Sequence, residues 1–125
     1  MSLVTNFGQI SADKHVFSWP DEGSTRSFHC KNEICDSAIS LSHQLILLLT
    51  RQPMTQTCNQ LVGLNHNGNI RFEIAAPDDY EFYYLSAHVR FETAVVCINR
   101  AKQKLDWFYA IDPQTGQLSS LNRAY

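Results

Sequence analysis

At 125 residues, with 44% apolar and 18% charged side chains, the chain is long enough to bury one core and too apolar to be a disordered polymer. Its net charge of −2 argues against sequence-independent nucleic-acid binding and against an anionic membrane surface, since both require a basic face. The apolar run Leu45 to Leu49 is far too short to cross a bilayer.

Residues 1–12 carry little periodic signal and are expected to be loosely ordered. They lack the basic and apolar regions of a signal peptide. No lipidation motif is present, so the expected location is cytoplasmic, with Cys30, Cys35, Cys58 and Cys97 as thiols rather than as a disulfide framework.

Val16 to Trp19 and Thr25 to Cys30 read as a strand pair around Pro20-Asp21-Glu22-Gly23. Ile34 to Leu49 fits two patterns. As a helix it aligns Ala38, Leu41, Leu45 and Leu48. As strands it alternates Ile39, Leu41 and His43 with Ser40, Ser42 and Gln44. Alternation and the lack of a C-capping glycine favour strand, bent near Ser42-His43.

The clearest hairpin is Gln60 to Ile74. Ile70, Phe72 and Ile74 alternate with polar residues, and a three-residue loop, His66-Asn67-Gly68, sets Leu64 opposite Ile70 and Val62 opposite Phe72. A two-residue loop would mix the faces, so burial selects the longer loop, with Gly68 left-handed. Phe82 to Ser86 follows the turn Pro77-Asp78-Asp79, and Ala94 to Asn99 is an apolar run expected to be buried on both faces. Lys104 to Ile111 carries Leu105, Trp107, Tyr109 and Ile111 on one face. Asp112 to Gly116 is turn chemistry that sets Ile111 opposite Leu118.

The expectation is a single all-β domain over residues 1–125, an antiparallel meander of eight or nine strands curled into a barrel-like or two-sheet body. The alternative is α+β with one helix at residues 36–50.

Two stretches bear on family. Asn59 to Ile74, with its Leu-Asn-His-Asn-Gly-Asn turn, resembles a strand pair of a quinoprotein-type propeller blade. So does Trp107 to Leu118, with Asp-Pro-Gln-Thr-Gly-Gln-Leu. Their order, each behind an apolar strand, is similar to that in small bacterial mobile-element proteins, including integron-cassette proteins and immunity-type proteins encoded beside toxins. The resemblance covers Ile39 to Tyr125 and implies a β-meander. It does not imply a propeller ring, which needs about four blades or more.

Candidate chemistry is sparse. His29-Cys30 with Cys35 lacks the paired spacing of structural zinc and reads as small thiols beside a surface imidazole, so no metal is expected. No local signature pairs a cysteine with His15, His29, His43, His66 or His88 as a nucleophile and base. Asp78, Asp79 and Glu81 read as a solvated turn rather than a carboxylate pair. No glycine-rich phosphate cradle is present, and no cofactor is expected.

What remains is aromatic. Tyr80, Phe82 and Tyr84 share one strand face and Tyr83 the other; Trp107 and Tyr109 likewise oppose Phe108. One set fills a core. The other fills a second core layer or forms a contact surface, for which the candidates are Tyr80, Tyr83, Phe91, Trp107 and Phe108, rimmed by Asp78, Asp79, Glu81 and Glu92. The expected function is a non-enzymatic protein-interaction module, binding a protein partner or itself as a homodimer. The resemblance implies an immunity-type role. The alternative is a small-molecule binder or small enzyme with an interior pocket.

Overall fold

The computed structural model describes residues 3–4, 8–52, 57–87, 91–99 and 105–123. Among them are twelve strands: β1 (Leu3–Val4), β2 (Gln9–Ile10), β3 (Val16–Asp21), β4 (Ser24–His29), β5 (Glu33–Ser40), β6 (Leu45–Arg51), β7 (Gln60–Asn65), β8 (Ile70–Ala75), β9 (Tyr80–Ser86), β10 (Ala94–Asn99), β11 (Leu105–Ile111) and β12 (Leu118–Arg123). The all-β, antiparallel expectation holds. The count of eight or nine was too low, because residues 1–12 hold two short strands, of which β2 joins β3 and β4 in a separate sheet while β1 pairs with β5.

The strands make three antiparallel sheets, ordered β1-β5-β6-β7-β8, β12-β11-β10-β9 and β2-β3-β4. None closes into a barrel, and there are three layers rather than two. Ile34 to Leu49 is strand bent near Ser42-His43, as expected, and the alternative helix at 36–50 is overturned: those residues form β5 and β6, joined by a turn at 41–44.

β6 explains the layering. Leu45, Leu47 and Leu49 point to one side, where they pack with Phe72, Phe82, Val95, Cys97 and Ile111. Ile46 and Leu48 point to the other, where they pack with Val62, Leu64, Phe17 and Trp19. A strand buried on both faces carries an unbroken apolar run, because alternation is only needed where one face meets water. Each such side chain contributes about 1.5–3 kcal/mol by leaving water.

The turns follow their chemistry. Gly68 and Gly116 sit at φ 97° and 77°, in the region open to glycine. Asp112 Oδ1 accepts from the backbone N–H of Gln114 at 2.8 Å and of Thr115 at 3.2 Å, and Ile111 faces Leu118. Asn65 N–H donates to Asn69 O at 2.8 Å, closing the His66-Asn67-Gly68 loop, and Leu64 faces Ile70.

Beyond Ile70 that hairpin departs from its expected register. The ladder shifts between Gly63 and Leu64, so Phe72 faces Gly63 and Glu73 faces Val62. Arg71 is the extra residue of a β-bulge. Phe72 and Ile74 therefore join one core, while Ile70 turns to the opposite face and remains 48% exposed. Phe72 fills the space above Gly63, where a Cβ would collide with its ring.

Arg71 gains a structural role from the bulge. Its guanidinium donates to Asn65 Oδ1 at 2.6 Å, Pro113 O at 2.8 Å, Gln44 O at 3.1 Å and His43 O at 3.3 Å. One cation thus ties three turns at one end of the stack. Beside it, Trp19 Nε1 donates to His66 O at 3.0 Å and Arg26, which also pairs with Asp21, donates to Asn67 O at 3.3 Å, fixing the β3–β4 tip on the central sheet.

The cysteines also require a correction. Cys35 and Cys58 are joined in a disulfide with Cα atoms 6.5 Å apart, while Cys30 and Cys97 are free thiols. Sequence spacing hides this pair because Cys35 is the extra residue in a β5 bulge and Cys58 lies outside the sheets, bridged to Phe82 of β9.

Candidate interaction surface

The sheet β9–β12 has an inner face toward the core and an outer face. On β10, Val95 and Cys97 point inward, while Ala94, Val96 and Ile98 point outward. Both sets are apolar, and Ala94 to Cys97 are buried, as the run predicts. Side chains on the outer face must therefore cover Val96, and these come from its cross-strand neighbours, Tyr84 on β9 and Phe108 on β11.

Simple alternation places Tyr84 inward with Tyr80 and Phe82. The structure places it outward, because the ladder slips between Val96 and Cys97 and leaves Tyr83 as the extra residue. Phe82 faces Cys97 and Tyr84 faces Val96, so the bulge sets Tyr83 beside Tyr84, with ring centroids 4.9 Å apart and planes at 64°. Edge-to-face pairs of this kind are favoured by the ring quadrupole. Tyr83 is 50% exposed.

The bulge is held at both ends. Phe82 N–H donates to Cys58 O at 2.9 Å, and Leu85 N–H donates to Asp36 Oδ2 at 2.8 Å. Asp36 also accepts from the N–H of Ser37 at 2.9 Å, which orients its carboxylate.

The five candidate residues divide between two faces. Tyr80 packs against the core edge-on to Tyr109, centroids 5.6 Å apart. Trp107 shares that inner side and donates from Nε1 to Ser120 Oγ at 2.8 Å. Tyr83 and Phe108 lie on the outer face. Phe91, 39% exposed, borders a recess of about 300 Å³ with Ala110, Pro113, Gln117 and Ser119, next to that face. The expected acidic rim does not assemble. Asp78 and Asp79 precede β9 and Glu92 follows it, so they lie at opposite ends of the strand. Glu92 is engaged by Ser42 Oγ and, at 3.5 Å, by His43 Nε2. Only Glu81, opposite Ile98, flanks the aromatic face.

Tyr84 and the recess were missed. Their signal was Ala94 to Ile98 itself, since a strand apolar on both faces demands aromatic cover from both.

A second cavity of about 570 Å³ opens between the β2–β4 and β5–β8 sheets. Phe28, Val62 and Ile70 form its apolar part, and Cys30 lies beside them. Along one side, Asn32 Nδ2 donates to Gln60 Oε1 at 3.4 Å and Gln60 Nε2 donates to Glu73 Oε2 at 3.1 Å. Burial pushes the Cys30 thiol up from its ordinary value. Burial pushes Cys97 up to about 12. Tyr109 is also pushed up to about 12, first by burial and then by Tyr80.

No family model, curated protein or solved structure matches the chain. Among the described residues, no three His, Cys, Asp or Glu side chains gather to hold a metal ion, and no helix is long and apolar enough to cross a membrane.

Proposed function

We propose that this protein is a protein-interaction module whose contact surface is the outer face of the β9–β12 sheet, at its β9 edge around Tyr83. The observation that carries the reading is the β9 bulge. It turns an exposed tyrosine onto an aromatic face beside Tyr84 and is hydrogen-bonded at both ends. A half-exposed tyrosine on an aromatic face matches the composition of interaction hot spots, because an aromatic ring adds contact area at small entropic cost. The occupant is a protein surface: a partner or a second copy of this chain.

The sharper form is an immunity-type protein, carried on a mobile element in a cytoplasm and neutralising a toxin made beside it. It is supported by the resemblance of the two hairpins to such proteins. A toxin-like reading frame next to the gene is the expected finding.

The test uses Tyr83→Arg, which places a charge on the surface without entering the core. Sedimentation and capture from the native host are compared with the parent protein. The expected result is loss of a specific partner, or of self-association, in Tyr83→Arg. An unchanged partner set and unchanged sedimentation contradict the reading.

A second reading is favoured by the Asn32–Gln60–Glu73 chain along the 570 Å³ cavity, where amides and a carboxylate are aligned beside apolar surface. That arrangement suits a small polar ligand. A thermal-shift screen tests it, and stabilisation abolished by Glu73→Gln supports it.

A further inference from the structure

We propose that the Cys35–Cys58 disulfide is a redox-controlled clasp that holds the Tyr83–Tyr84 bulge in its presenting geometry. The inference rests on the reading of that bulge as the contact surface, and it adds how the surface is regulated.

The bulge has two anchors. Cys58 O takes the N–H of Phe82, just before it, at 2.9 Å, and Asp36 Oδ2 takes the N–H of Leu85, just after it, at 2.8 Å. The disulfide joins these anchors, because Cys35 is bonded to Cys58 and directly precedes Asp36 in the chain. The two anchors lie 22 residues apart in sequence. Asp36 is fixed in the β5–β6 ladder opposite Leu49, whereas Cys58 lies ahead of β7 and outside any ladder. Cys35 is the unpaired residue where β5 slips against β6, and Cys58 makes only an isolated bridge to Phe82. The sulfur link therefore ties the Cys58 anchor covalently to the β5 ladder that carries Asp36.

The bond is also reachable. Cys58 is buried, but Cys35 is exposed. A dithiol reductant, small or protein-borne, can attack the Cys35 sulfur as a thiolate. The S–S bond breaks, the reductant forms a mixed disulfide with Cys35, and Cys58 leaves and takes a proton. The reductant's second thiol then displaces Cys35, which is protonated in turn, and the reductant closes into a disulfide. Two electrons and two protons pass to the protein. Once Cys35 is free, Cys58 is no longer tied covalently to the β5 ladder that holds Asp36, and the peptide between Phe82 and Leu85 loses one fixed end of its span.

The test is amide hydrogen exchange on the full chain, oxidised and then treated with dithiothreitol. Exchange at Phe82 and Leu85 should accelerate by about tenfold or more, while Leu47 and Leu48 of β6 change by less than roughly twofold. Cys35→Ser without reductant should reproduce the reduced pattern. If that variant does not fold, reductant titration of the parent protein carries the test. Unchanged exchange at Phe82 and Leu85 overturns the clasp, whatever Tyr83 binds. Equal acceleration at Leu47 and Leu48 also overturns it, because the bond would then hold the whole fold. A Tyr83→Arg protein that still captures every partner defeats the surface reading alone, and exchange at the two anchors still decides the clasp.

Discussion

Arg71 donates to one side chain and to carbonyls of two further turns. Removing it leaves those acceptors unpaired where the turns meet. Arg71→Ala is expected to cost about 2–4 kcal/mol in urea unfolding. Arg71→Lys should recover little, because one ammonium does not reproduce a planar fork. A loss below roughly 0.5 kcal/mol in Arg71→Ala would show that the turns hold without it. The free thiols also separate at this scale. Cys97 is fully buried and Cys30 only partly, so an alkylating reagent at mild alkaline pH should modify Cys30 first and Cys97 only after unfolding, as read by mass spectrometry. Tyr109 gives a pH dependence of defined sign. Its native pKa of about 12 exceeds the ordinary 10, so the native state keeps a proton that the unfolded chain releases. That contribution is intact below the ordinary value and is lost as pH rises toward the native one. Buried Cys97 adds a loss of the same sign from 9.0 toward about 12. The denaturant midpoint should fall across this alkaline range, and fall less in Tyr109→Phe.

At the scale of elements, the strands and turns were legible where local chemistry decides them. Glycine at φ > 0 marks the His66–Gly68 and Asp112–Gly116 turns, and the unbroken run in β6 announces a strand buried on both sides. The bulges at Arg71 and Tyr83 were not legible, because a slipped residue is selected by what packs across the sheet. Phe72 had to fill the space over Gly63, and Tyr84 had to cover Val96. The disulfide was hidden for the same reason, since a bulge and a segment outside the sheets bring its halves together. The Gly63–Phe72 pairing can be tested directly. Gly63→Ala forces its methyl into the Phe72 ring and should cost about 1–3 kcal/mol by urea unfolding, whereas a residue tolerated there without cost would mean that the ring lies elsewhere.

For the whole molecule, β6 is the common wall of two cores, so truncations on its two faces should damage different neighbours. Leu47→Ala and Leu48→Ala should each cost about 2–5 kcal/mol. The first should perturb aromatic signals from Phe82 and Tyr109, and the second those of Phe17 and Trp19. Stacking three sheets this way leaves the outer side of β9–β12 facing outward, with Tyr83 at its edge, opposite the layer that holds Thr25. The most direct measurement places a photoreactive residue at Tyr83 and, in a separate protein, at Thr25, and irradiates both in the native host. The surface reading predicts a discrete protein crosslink, to a partner or to a second copy, from position 83 and none from position 25. Crosslinks of equal yield at both positions, or at position 25 alone, would contradict it.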